Sequence, residues 1–134
     1  MKIAAVSEDG KTISQHFGRA PYYVVLTIKN GQIVSREIRE KMGHAQFASE
    51  QHVDEAHIDA RGHGFDAGAQ SRHARMAAAI QDCQILLARG MGAGAYYSME
   101  QAGIRPIITD IVEIDLAALA AAEGTIIDHV ERLH

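Results

Sequence analysis

The segment best equipped for chemistry is Gly90-Met91-Gly92-Ala93-Gly94, which follows an apolar run and is preceded directly by Arg89. Glycines let a backbone turn sharply and bring its N–H groups close to an anion, and a following helix adds the positive end of its dipole. Arg89 adds a full positive charge. Gly90, Gly92 and Ala95 also fit the dinucleotide spacing G-x-G-x-x-G/A, with Asp110 twenty residues beyond Gly90. Two strand–helix–strand halves usually grip a dinucleotide, and this chain shows one such unit. The loop therefore points first to an anion and second to a nucleotide, with a tight packing turn as the plain alternative.

A second glycine-containing loop, Ser14-Gln15-His16-Phe17-Gly18-Arg19-Ala20-Pro21, carries an imidazole. Imidazole ligates transition metals or, when protonated, bonds to anions. Five of the eight histidines, His44, His52, His57, His63 and His73, lie between residues 44 and 73, interleaved with Asp54, Glu55 and Asp59. Such a tract can bind Zn, Ni, Cu or Fe, with His44, His57 and His63 as candidate ligands beside His16. No spacing matches a closed structural zinc site, and a solvated loop with incidental metal affinity is the alternative. His73 falls on an apolar helical stripe and reads as half-buried packing. Cys83 lies seven positions before Gly90. At about 3.3 Å per residue that is some 20 Å from the glycine loop, so it reads as a small buried residue and not as a ligand.

The elements that position these residues follow from periodicity and turn chemistry. Lys2 to Val6 reads as a buried strand, residues 7–21 as a polar loop, and Tyr22 to Ile28 as a β-branched and aromatic strand. Asn30-Gly31 supplies a type I′ hairpin turn, returning through Ile33 to about Ile38, a strand whose Arg36, Glu37 and Arg39 suit an edge. A His-rich loop occupies about 41–67. The helical period then appears, with Ala69, His73, Met76, Ala77 and Ile80 on one face. Ile85 to Ala88 is a strand, the glycine loop opens a helix to about Ala102, and Pro106 to Thr109 is the last strand. Asp115 can cap a final helix, Leu116 to Glu123, which Gly124 stops. A hairpin followed by strand–helix–strand implies antiparallel pairing first and right-handed parallel crossovers afterwards. If the first strand points up, His16, the His-rich loop, Gly90–Gly94 and Asp110 all arrive at the top edge, where open α/β sheets bind ligands. Cys83 arrives at the bottom.

The bulk properties narrow the function classes. The 134 residues fit one domain, 1–134, and 47% apolar content with 5% aromatics and no Trp demands a core of Ile, Val, Leu, Ala and Met. A net charge of -4 argues against nucleic acid or an anionic membrane as partner. Early acidic residues argue against a secretory signal, and no apolar run approaches the roughly 18 residues of a membrane span. The single cysteine rules out an internal disulfide and an all-cysteine cluster site within one chain. A cytoplasmic protein is the simplest expectation.

Ser14-x-His16-Phe17-Gly18-Arg19-Ala20, Cys83-Gln84-Ile85-Leu86-Leu87, Gly90-Met91-Gly92-Ala93-Gly94-Ala95 and Ala102-Gly103-Ile104-Arg105-Pro106 together resemble the dinitrogenase iron–molybdenum cofactor-binding family. The resemblance covers most of the chain outside 41–67. It implies an α/β, ribonuclease-H-like fold: a mixed five-stranded sheet, antiparallel hairpin plus parallel strands, with helices on both faces. It also implies non-covalent carriage of a metal–sulfur cluster (the iron–molybdenum cofactor, its precursor or a related Mo/Fe–S cluster) by an accessory protein of nitrogenase. A cofactor-accepting or cofactor-synthesising protein would be the partner. Within the family a loop histidine and a cysteine are discussed as ligands. His16 matches the histidine motif, whereas the strand directions set Cys83 apart.

Metal–sulfide clusters are bulky anions. Backbone N–H groups at Gly18, Gly90, Gly92 and Gly94, with Arg19 and Arg89, would bind the sulfides, and His16 would cap a metal. No catalytic residue is assigned, because a site with few protein ligands suits a carrier better than an enzyme. Two other classes compete: a nucleotide-binding domain or small oxidoreductase using Gly90–Gly94 and Asp110, and an interaction module with no small-molecule ligand.

Overall fold

Ile3-Ala4-Ala5-Val6 presents no polar side chain on either face, and such a run folds only where both faces are covered. In the computed structural model, which describes residues 1–41 and 67–134, it lies in β1 (Lys2–Ser7), the middle strand of a five-stranded sheet. β2 (Tyr22–Lys29) pairs with β1 antiparallel, and β3 (Gln32–Glu40) pairs with β2 antiparallel at the edge. The helix α1 (Ala67–Ala78) precedes β4 (Ile85–Ala88), which runs parallel to β1. Then come α2 (Ala93–Gln101), β5 (Arg105–Ile108) parallel to β4, α3 (Ile114–Glu123) and a 3-10 turn, Val130–Arg132. The order across the sheet is β3-β2-β1-β4-β5.

The hairpin turn is made as its sequence demands. Asn30 and Gly31 have φ of 52° and 73°, both positive, as a type I′ turn requires. β3 extends two residues beyond the expected Ile38, because Arg39 and Glu40 continue the ladder opposite Tyr23 and Tyr22. Alternation along β3 shows that helices flank both faces. Arg36 binds the Asp115 carboxylate of α3 at 2.6 and 2.7 Å. Arg39, three residues on and so on the opposite face, donates to the Ala79 carbonyl just past α1 and to Asp82. Tyr23, its register partner, donates to Met76 of α1. α1 and α2 pack against each other, and α3 packs on β1 to β4.

Two expectations change. The N-cap of α3 is Glu113, without a side-chain cap bond, and Asp115 lies inside the first turn. The first-turn N–H of Ile114 reaches instead to the Lys11 carbonyl at 3.1 Å, which leaves Asp115 free to pair with Arg36 while still opposing the helix dipole. Residues 125–134, beyond the last expected element, turn back onto the sheet end. His129 N donates to Ile108 O at 2.8 Å, and Asp128 Oδ1 accepts from Ile108 N at 2.9 Å. Gly124, with φ of 78°, ends α3 as expected.

His73, Met76, Ala77 and Ile80 are buried, in keeping with the expected stripe. Among the described residues no helix is long and apolar enough to cross a membrane. The His-rich loop, with His44, His52, His57 and His63, lies outside the described residues.

The Tyr23 hydroxyl is fully buried and donates to the Met76 carbonyl at 2.9 Å, tying α1 to the sheet. Tyr23→Phe is therefore expected to lower stability by roughly 1–2 kcal/mol in urea unfolding. Tyr22→Phe, at an exposed position, should stay within about 0.5 kcal/mol of the parent.

Candidate functional site

The strand directions bring the expected residues to one edge. Ser7, Glu40, Ala88 and Ile108 end their strands on the same side of the sheet, as the register pairs Ser7–Tyr22–Glu40, Ala5–Leu87 and Ala88–Ile108 require. The loop after β1 and the loop after β4 therefore meet. Arg89 N donates to Ser14 O at 3.0 Å, and Phe17 N donates to Gly90 O at 3.1 Å. These two bonds stitch the His16 loop to the glycine loop.

Gly90 is glycine for a reason that spacing does not reveal. A Cβ added there would stand 2.2 Å from the Gln15 carbonyl oxygen, a main-chain atom that cannot swing aside. The residue serves close approach of loop to loop. Gly18 is different: a Cβ there would meet nothing within 4 Å.

Beyond the stitch, several donors stand unused. The N–H groups of Gly18, Gly90, Gly92 and Gly94 have no acceptor among the described residues, and the guanidinium groups of Arg19 and Arg89 make no hydrogen bond or ion pair there. Ala93 N is occupied, donating to His134 O at 2.8 Å, while His134 N donates to Met91 O at 3.3 Å. The tail thus sets an oxygen on the first turn of α2, where the helix dipole favours one. Gly94 is buried in that first turn, and Gly92 is its N-cap. His16 and Arg19 are exposed. The His16 carbonyl accepts from Arg19 N and Ala20 N at 3.1 and 3.0 Å, and Ser14 Oγ accepts from His16 N at 3.1 Å. The chain around the imidazole is held while the ring faces outward from a tight turn.

A cleft of about 390 Å³ opens on the loop after β1 beside Arg89, lined by Glu8, Asp9, Thr12, Ile13, Ser14, Gln15, His16 and Arg89; Gly18, Arg19, Gly90, Gly92 and Gly94 do not line it. Asp9 is turned into its own loop, where Thr12 N, then Lys11 N, and the Thr12 and Ser7 hydroxyls donate to it and hold its carboxyl well below the usual range. Among the described residues no group of three or more His, Cys, Asp or Glu is arranged to hold a metal ion. His16 is the one histidine among the residues that line the cleft, and His44, His57 and His63 lie outside the described residues.

Asp110, the acid of the nucleotide reading, is already engaged. Arg132 bonds to its carboxylate, and His129 Nε2 lies 3.1 Å from its other oxygen. Arg132 chiefly holds its pKa down. Cys83 sits at the far edge, beside Gln84, whose N–H binds Lys2 O at the start of β1. Burial first, then the Asp82 charge, pushes its thiol up to about 11. Sequence reasoning missed Lys41, buried beneath the His16 loop, and the tail on the glycine loop. Neither sits in a motif, and a lone lysine after a charged edge strand gives no sign of burial.

An open α/β sheet with two glycine-bearing loops at its strand ends has the arrangement in which ligands bind such sheets. The chain belongs to the dinitrogenase iron–molybdenum cofactor family, whose profile matches residues 1–124. Among solved structures it is similar to PH0822, at 21% identity and a TM-score of 0.64, covering 97% of this chain and 98% of that one. It is also similar to the apo form of the orange protein from Desulfovibrio gigas, at 17% identity, TM-score 0.63, and coverage of 96% and 92%. MJ0327 of Methanocaldococcus jannaschii matches at 12% identity, TM-score 0.61, and coverage of 97% and 95%. At these identities the likeness is one of fold. No curated protein sequence matches the chain.

Gly90→Ala should open the junction between the two loops and cost about 1–3 kcal/mol in chemical unfolding, because main chain must move to admit the methyl group. Gly18→Ala, with open space around it, should stay within about 0.5 kcal/mol.

Proposed function

We propose that this chain binds an anionic metal–sulfur cluster non-covalently and carries or senses it as a non-catalytic accessory protein. The cluster would be the iron–molybdenum cofactor, its precursor or a related Mo/Fe–S cluster. The observation that carries the reading is the set of unpartnered donors at one edge: the Gly18, Gly90 and Gly92 amides, the Arg19 and Arg89 guanidiniums and the exposed His16 ring. Family membership over residues 1–124 supports it independently.

In this reading the amides and guanidiniums hold sulfides by charge-assisted hydrogen bonds. His16 ligates one metal, and His44, His57 and His63 are further ligand candidates. Gly94, buried in the first turn of α2, acts only through the dipole of that helix. The cluster is cargo, and a cofactor-accepting or cofactor-synthesising protein is its partner. The chain acts as one domain, 1–134, in the cytoplasm, and the order β3-β2-β1-β4-β5 supports a ribonuclease-H-like designation. The nucleotide-binding or oxidoreductase reading is not favoured, because Asp110 is committed to Arg132 and His129.

Protein purified without oxygen, or mixed with a thiomolybdate or an iron–sulfide cluster, is expected to show ligand-to-metal absorption in the visible. A colourless protein that instead binds NAD or ATP at micromolar levels would reverse the ranking. His16→Ala should weaken retention about 10–100-fold in chelator competition, or some 1.5–3 kcal/mol. Cys83→Ala, at the far edge, should leave it unchanged. Equal retention in the parent and His16→Ala, with steep loss on deleting 44–66, would move the site into the His-rich segment.

A further inference from the structure

Lys41 stands one residue past the end of β3, where its N–H donates to Pro21 O at 3.0 Å. β3 is the most exposed strand of the sheet, yet Lys41 is only 4% exposed. Its Nζ donates to Ala20 O at 2.8 Å and to Phe17 O, and lies 4.6 Å from the centre of the Phe17 ring. Among the described residues no carboxylate reaches it, so two carbonyl dipoles and a ring face answer its charge. Burial pulls its pKa down to about 7.

Phe17 and Ala20 bracket Gly18-Arg19, the tip of the turn that carries the free amide and the free guanidinium. Drawing both carbonyls to one nitrogen closes the turn beneath that tip. A buried apolar side chain would leave two carbonyls without donors, and a carboxylate would repel them. The neutral amine keeps two N–H donors, matching two carbonyls. The turn can therefore hold its form on either side of the lysine's pKa, and substitution is a better probe than pH.

We propose that Lys41 is the positioning residue of the anion-binding turn: by holding Phe17 O and Ala20 O together it fixes the geometry in which Gly18 N–H, Arg19 and His16 meet the ligand. This rests on the carrier reading above, and its test separates the two. The probe is tetrathiomolybdate, read by chelator competition and by the visible circular dichroism that a fixed site induces in a bound chromophore.

Lys41→Met keeps the length of the stem and removes the donors. It is expected to hold the anion at least tenfold less tightly and to alter its visible dichroism. Beyond position 41 and its chain neighbours, changes in amide shifts and hydrogen exchange should be confined to residues 16–21. Equal affinity and identical dichroism in parent and variant overturn the role of Lys41 while leaving the carrier reading intact. If the parent takes up no thiomolybdate, the carrier reading fails by itself. The amide arm then decides Lys41, and unchanged Gly18 and Arg19 resonances in the variant overturn it. Should Lys41→Met not fold, the parent answers directly. Couplings across hydrogen bonds from Lys41 Nζ to the Phe17 and Ala20 carbonyl carbons support the role, and a freely exchanging Nζ signal overturns it.

Discussion

The contact of Gly90 with the Gln15 carbonyl is the constraint on which the candidate binding edge depends. Parallel pairing of β1 and β4 brings two chain segments to the same height, but adjacency of strands does not make their loops touch. They touch because position 90 has no Cβ, so the glycine loop can accept Phe17 N and Arg89 N can reach Ser14. With those bonds made, the His16 turn has a fixed wall on one side. Lys41 supplies the floor, and Arg89 lines the cleft. A gap of one methyl group at a backbone crossing thus sets how closely the loop that carries His16 and Arg19 approaches the one that follows Arg89.

Most of the fold was legible because its signals are local and redundant. Asn30-Gly31 specifies its own turn, and the continuous apolar runs at Ile3–Val6 and Ile85–Ala88 leave no solvent face. The strand directions then follow from connection rules, and they correctly sent Cys83 to the edge opposite His16. What escaped was non-local. The role of Gly90 depends on Gln15, which is far away in sequence. The burial of Lys41 depends on carbonyls in another loop, and the docking of residues 125–134 depends on Ile108 and Met91. Glu113 displaced Asp115 as cap for the same kind of reason: a carbonyl at Lys11 and a guanidinium at Arg36 competed for the helix start.

The candidate site was legible as an edge and as a set of residue types, but not as a hydrogen-bond inventory. Two glycine loops read alike as anion cradles, yet their glycines do different things. Gly18 is exposed with an open amide, Gly90 enables a backbone crossing, and Gly94 is packed into a helix. Which amides remain available follows only when every other bond has been counted. The tail makes the point most clearly, since His134 O takes the Ala93 amide that spacing alone would have assigned to a ligand.

The distribution of charge bears on how an acidic chain could present the proposed anion site. Arg36 with Asp115, Arg39 with Asp82 and Glu37, Lys2 with Asp82, and Arg132 with Asp110 neutralise each other locally, so the net charge of -4 lies on groups outside these pairs. Arg19 and Arg89 stay outside these pairs, and Asp9 directs its charge into its own loop. At the edge the Arg19 and Arg89 guanidiniums and the open amide dipoles stand near the Glu8 and Asp9 carboxylates, so the field on an anion there is short-range. Such a field discriminates by fit, because amides act only on atoms within hydrogen-bond reach, while the acidic surround repels polyanions that cannot enter the cleft. In the proposed carrier role, holding by dipoles instead of thiolates would also leave no covalent metal–sulfur bond to break at release. Retention and hand-over would then depend on the same few donors, and on the role proposed for Lys41 beneath the turn that carries them.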